Sequence, residues 1–224
     1  MFLLVTALAF GASFLVQTWL KRTYAKWQVQ PNAIGASGAQ VARHILDINE
    51  LQKVQLEKTK GTLSDHYIPS KELIRLSVPV YDQPSVASIA IAAHEVGHAL
   101  QKADNYYPLK LKAVLMPIAA MASQGGILMA LGGSFLGLPL VSQIGTVLFI
   151  SAMGLQVLSL PIEFDASKRA MNQLKKHKLV SETDVDGARS VLNAAALTYV
   201  ASAATSVAFM AVMAMQLFAR KRVG

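Results

Sequence analysis

The sequence predicts a mainly α membrane protein, with about four transmembrane helices and a small α+β part. Three observations carry this. Apolar residues make up 53% of the 224 positions and the mean hydropathy is +0.40, too apolar for an ordinary water-soluble domain. The excess is gathered into runs, the longest being Ala113 to Ile162, about fifty residues without a charged side chain. Between the runs stands one short polar signature, His94-Glu95-Val96-Gly97-His98.

The N-terminal run, Phe2 to Leu20, is long enough to cross a hydrocarbon layer of roughly 30 Å. It has no preceding positive charge, and Lys21, Arg22 and Lys26 follow it, so it is expected to be a retained anchor with its N-terminus outside. Residues 21–112 are expected to form a soluble part with short strands. Gln30 to Gly38 is rich in breakers and reads as a linker. A helix is predicted from Gly38 to Asn49, with Val41, Ile45, Leu46 and Ile48 on one face. Val54 to Lys58 alternates apolar and polar, as a half-buried strand does, and Glu72 to Val78 suggests a second strand. Gly61 to Lys71 between them carries turn signals. Asp82 is the expected N-cap of the next helix, with Pro84 in its first turn. Residues 113–162 divide into two spans at Gly132, Gly133, Gly137 and Pro139. A helical segment follows over 163–193, then a last span over 194–219 and a basic tail over 220–224.

All Lys and Arg except Arg220, Lys221 and Arg222 fall in 21–112 and 163–193. Four spans put those two segments on one side, and the excess of positive charge makes it the cytoplasmic side of the cell membrane. The tail then lies outside, against the same rule. The net charge of +8 does not imply nucleic acid: the basic residues flank apolar runs and are not interleaved with aromatics. The expected surroundings are the lipid bilayer. Nothing in the sequence fixes an oligomeric state.

His94 and His98 lie four apart, so on a helix both imidazoles leave one face and can share a tetrahedral Zn²⁺. Glu95 projects beside the metal, where a carboxylate can take a proton from water. The flanks, Ile89 to Ala93 and Ala99-Leu100, are apolar and small, and a His-Glu-His cluster buried there is costly unless something binds it. With no cysteine in the chain, the missing ligand must be a histidine or a carboxylate. Glu163 is the first choice: it is the first charge after the uncharged stretch, at a membrane exit. Asp165 is the second, and could instead orient a histidine from behind. His66 is the kind of histidine that loops commonly hold. Arg189 and Tyr199 are possible donors to a tetrahedral oxyanion, although Tyr199 also fits an interfacial anchor. Gly97, between the histidines, would let a neighbouring helix come close. The segment Ile74 to Val78, just before the motif helix, is the expected strand edge for an extended peptide.

The stretches Leu63 to Tyr67, Leu76 to Tyr81, Ala92 to Gln101, Leu160 to Ala170 and Ala194 to Val200 resemble the YugP-type neutral zinc metallopeptidases of bacterial membranes. More distantly, the chain is similar to the HtpX-type membrane proteases and the CAAX prenyl proteases. In those, a Glu on a second helix opens an E-x-x-A-D pattern. Here Glu163-Phe164-Asp165-Ala166-Ser167 keeps the Glu and the Ala and has Ser167 at the final Asp. The resemblance implies a zincin-like α+β part with a gluzincin-like site and Zn²⁺ as cofactor. It implies peptide or protein substrates, membrane proteins among them, but no particular one.

The leading expectation is a membrane-anchored zinc metalloendopeptidase that uses water activated by zinc, with Glu95 as general base. One rival is an intramembrane zinc protease of the site-2 type. The motif run, bounded by Asp82 and by Lys102 and Asp104, is short for a span, and a Leu-Asp-Gly ligand motif is missing. The other rival is a non-catalytic membrane adaptor retaining a metal site.

Overall fold

The computed structural model describes residues 2–221, and the side chains of 7–155 and 157–211. It is mainly helical: α1 (Phe2–Gln28), α2 (Gly38–Ile48), α3 (Val78–Asp82), α4 (Val86–Ala103), α5 (Tyr107–Phe135), α6 (Pro139–Val157), α7 (Ser159–Lys176) and α8 (Glu182–Lys221). One small sheet contains β1 (Gln55–Thr59), β2 (His66–Ile68) and β3 (Leu73–Ser77). The chain forms two compact units. One holds Val16–Tyr106 and Pro161–Thr198; the other holds Met1–Leu15, Tyr107–Leu160 and Tyr199–Gly224.

Among the described residues, three helical stretches are long and apolar enough to cross a membrane: Tyr107–Phe135, Pro139–Lys176 and Glu182–Ala211. The expected N-terminal span lies in α1, where the side chains of 1–6 are outside the described residues. The tail beyond 221 is also outside them. In the second unit, α5 and α6 are joined at Gly137, whose φ of +67° suits a residue without Cβ. The two helices touch backbone to backbone. A Cβ on Gly126 would sit 2.8 Å from the Gly145 carbonyl oxygen and from Phe149 N, closer than side-chain carbons come. Small residues permit this kind of approach between membrane helices.

The first unit is built around α4. Val86, Ala87, Ile89, Ala90, Ala92, Ala93 and Val96 are all buried in one core with α2, the sheet and α7. The capping Ser85 accepts from Ser88 N (3.1 Å). Asp82, the expected cap, instead ends the short α3 and pairs with Lys58 (2.8 Å). The reason is that Pro79 starts a separate turn of helix before Gln83 and Pro84 break it. The helix expected from Gly38 is α2, closed at its start by a reciprocal Ser37/Gln40 capping box.

The sheet order is β1-β3-β2, with β1 parallel and β2 antiparallel to β3. This corrects the expected peptide-binding edge. The Ile74 to Val78 segment supplies the central strand, paired on both sides; four of the five residues of β3 are buried, and Arg75 meets Glu57 across the β1 pairing. The outer strands are β1 and β2; β2, the one packed against α4, lies within the stretch that carried only turn signals.

Candidate metal centre

Helix α4 points His94 and His98 to one side, with ring centroids 4.8 Å apart and ring planes at 82°. Facing them from α7 is Glu163, 4% exposed. Its Oε2 lies 3.3 Å from His94 Nε2 and 3.4 Å from His98 Nε2. Both separations exceed the usual 2.7–3.2 Å of an N–H···O hydrogen bond. They match the edge of a tetrahedron about a zinc ion, about 3.3–3.4 Å for zinc–ligand bonds of about 2.0–2.1 Å. Two imidazole nitrogens and a carboxylate oxygen, all within 4.8 Å of one another, form the potential metal-ligand group among the described residues. Two neutral imidazoles and one carboxylate are a donor set that suits zinc and leaves a fourth position open. Glu95, one residue along from His94, is 7% exposed.

The sequence matches, over residues 1–218, the protein family described as "putative neutral zinc metallopeptidase". It is 41% identical over 206 residues, 92% of each chain, to a Bacillus subtilis (strain 168) protein described as "putative membrane protease YugP". The chain belongs to this zinc metallopeptidase family. No solved structure matches it.

In this family member the two histidines are held from behind by neutral groups. His94 Nδ1 lies 3.1 Å from Ser167 Oγ. Ser167 is four residues after Glu163, hence on the same face of α7. His98 Nδ1 lies 3.0 Å from Gln101 Oε1. Gln101 is fully buried and donates from Nε2 to the Ile162 carbonyl (2.7 Å) and to Asp165 Oδ2 (2.9 Å). Asp165 therefore does not face the cluster of Nε2 and Oε2 atoms; Arg169 Nε also holds it, at 2.6 Å. Gln101 escaped sequence reasoning. Its signal was available: it lies three residues after His98, on the same face, one turn beyond a candidate ligand.

Arg189 lies on α8, half-exposed, 3.7 Å from Asp186, and no described hydrogen bond or ion pair joins it to the cluster. Tyr199 belongs to the other unit and is 39% exposed. His66 is an exposed loop-side residue whose Nδ1 lies 2.7 Å from the Ser64 carbonyl oxygen.

Burial pushes the Glu95 carboxyl above the ordinary carboxylate range, while the neighbouring imidazoles pull it back. At His98, burial acts to lower the pKa, but the accepting carboxylate of Glu163 and the charge of Glu95 outweigh it and raise the value in the metal-free protein. Asp65, also pushed up by burial, accepts from Ser77 N (2.7 Å) and Ser77 Oγ (3.0 Å), tying the loop before β2 to the end of β3. Lys102, in the last turn of α4, donates to the Pro69 carbonyl (2.7 Å) and to Glu72 (2.9 Å), fixing the β2–β3 turn against the same helix.

Gly97 sets the spacing between α4, which carries His94 and His98, and α7, which carries Glu163. A Cβ there would meet the Ala166 carbonyl oxygen, with Ala166 C at 3.0 Å and Cα at 3.1 Å. These are backbone atoms, so relief requires α7 to move. Gly97→Ala is expected to destabilise the metal-free protein by about 1–3 kcal/mol, the usual cost of overpacking. It should also weaken zinc binding, because Ala166 is three residues from Glu163. Thermal unfolding and chelator competition in detergent check the two effects.

Proposed function

We propose that this chain is a membrane-anchored zinc metalloendopeptidase in which His94, His98 and Glu163 hold the metal and Glu95 is the general base. The observation that carries the reading is the convergence of the three candidate ligand atoms, with both histidine-to-Glu163 separations at the edge length of a zinc tetrahedron, beside a buried glutamate. When bound, zinc supplies a Lewis acid that makes water nucleophilic at neutral pH and polarises the scissile carbonyl. Glu95 accepts the proton of the attacking water and delivers it to the departing amine nitrogen. His94 and His98 present Nε2 lone pairs, and Glu163 supplies the negative charge of the donor set.

The peptide is read as lying along β2, the edge strand packed against α4, where backbone hydrogen bonds would hold the amide in extended form. The membrane reading has four spans, with 21–112 and 163–193 on the cytoplasmic side, supported by the distribution of Lys and Arg. Helix α4 is not among the helices apolar enough to span, which favours a site outside the bilayer core over the intramembrane alternative.

Chelation tests the proposal. Cleavage of an unfolded protein by the purified protein in detergent is expected to stop on treatment with a zinc chelator and to return on adding zinc. The unfolding temperature should fall with the metal, since a ligand of the folded state stabilises by mass action. Cleavage that survives complete metal removal would refute the reading.

A further inference from the structure

Gln101 is a fully buried amide with three hydrogen bonds, one to His98 on its own helix α4 and two that reach Ile162 and Asp165 on α7. Its orientation is forced by chemistry. The Ile162 carbonyl and the Asp165 carboxylate are both acceptors, so the side of Gln101 that faces them must be the NH₂ group. The oxygen is left for His98 Nδ1. An oxygen there can only accept, so neutral His98 must carry its proton on Nδ1 and keep the Nε2 lone pair free. Nε2 is the nitrogen 3.4 Å from Glu163 Oε2. The hydroxyl partner of His94 does not impose this, because Ser167 Oγ can donate or accept. Asp165 is itself held by Arg169 Nε, and Arg169 also pairs with Asp104 at the end of α4. The amide is therefore pinned from both sides.

We infer that Gln101 is a positioning residue, which writes the metal-binding tautomer of His98 and locks that imidazole to the helix carrying Glu163. The inference rests on the zinc reading proposed above. It goes beyond that reading by assigning the discrimination between the two histidine tautomers to one neutral side chain.

The test is zinc affinity of the full chain in detergent, by competition with a chromophoric chelator. Removing an outer partner of a metal-bound histidine typically costs about 10–100-fold in affinity. Gln101→Met keeps the volume and removes every hydrogen bond, and is expected to weaken zinc by that factor. Gln101→Glu keeps an acceptor for His98 Nδ1 but loses both donors and sets a charge against Asp165. If the tautomer is what matters, Gln101→Glu binds zinc more tightly than Gln101→Met. If Gln101 is only a clip between α4 and α7, Gln101→Glu is at least as impaired, and that order would overturn the inference. Gln101→Leu carries the comparison if Gln101→Met fails to fold.

A second arm uses His98→Ala. In that background Gln101→Met should change zinc affinity by less than about twofold, while an undiminished loss would refute action through His98. Wild type that binds zinc tightly, with Gln101→Met unchanged, overturns this inference alone. Wild type that binds no zinc overturns it together with the metal reading.

Discussion

Glu95→Gln is expected to hold zinc as the wild type does and to lose cleavage by at least about 10²-fold, the lower end of what a positioned general base supplies. The substitution is isosteric, so the packing of a residue 7% exposed in the middle of α4 changes little. The three candidate ligand atoms belong to other residues, so metal binding should survive. What is lost is the capacity to take a proton from water and return it to the amine, which an amide lacks. Stoichiometric zinc and product formation, measured on the same preparation, check both halves. Retained cleavage by the zinc-loaded variant would remove Glu95 from the mechanism.

Glu163→Gln should show the opposite pattern, with loss of the metal and of cleavage together. Structural zinc sites bind with roughly 10–16 kcal/mol over four ligands, so one ligand is worth about 2.5–4 kcal/mol, on the order of 10²–10³-fold in affinity. Glu163 also supplies the only negative charge of the donor set, opposite two neutral imidazoles, so the loss should reach the upper part of that range. The amide keeps the shape of a buried side chain between α4 and α7, and the metal-free variant is expected to fold. Chelator competition on wild type and variant gives the ratio directly. An unchanged zinc affinity would mean that another residue completes the site.

The parts legible in the sequence are those set by short-range geometry. Two histidines four apart announce a shared face whatever surrounds them. Val41, Ile45 and Leu46 on one face announce α2, and glycines with Pro139 mark the turn between α5 and α6. Glu163 was legible for a different reason: a carboxylate that ends fifty uncharged residues needs a partner, and the geometry gives it two imidazoles. Sheet order was not legible. The antiparallel pairing of β2 covers three residues, and nothing local to Ile74 says that both its flanks will be paired. The hint lay in β3 itself, where Arg75 is the sole charge in an otherwise buried strand and is answered by Glu57 on β1. Gln101 was passed over because a single amide in an apolar helix looks like tolerated polarity until the positions of Ile162 and Asp165 show that each of its hydrogen bonds is taken.

X-ray absorption at the zinc edge of the purified wild-type protein tests the central claim most directly. The account predicts one zinc per chain, with a first shell of two imidazole nitrogens and oxygen ligands at about 2.0–2.1 Å. Well-folded protein without stoichiometric zinc, or a zinc shell with no imidazole scattering, would contradict it.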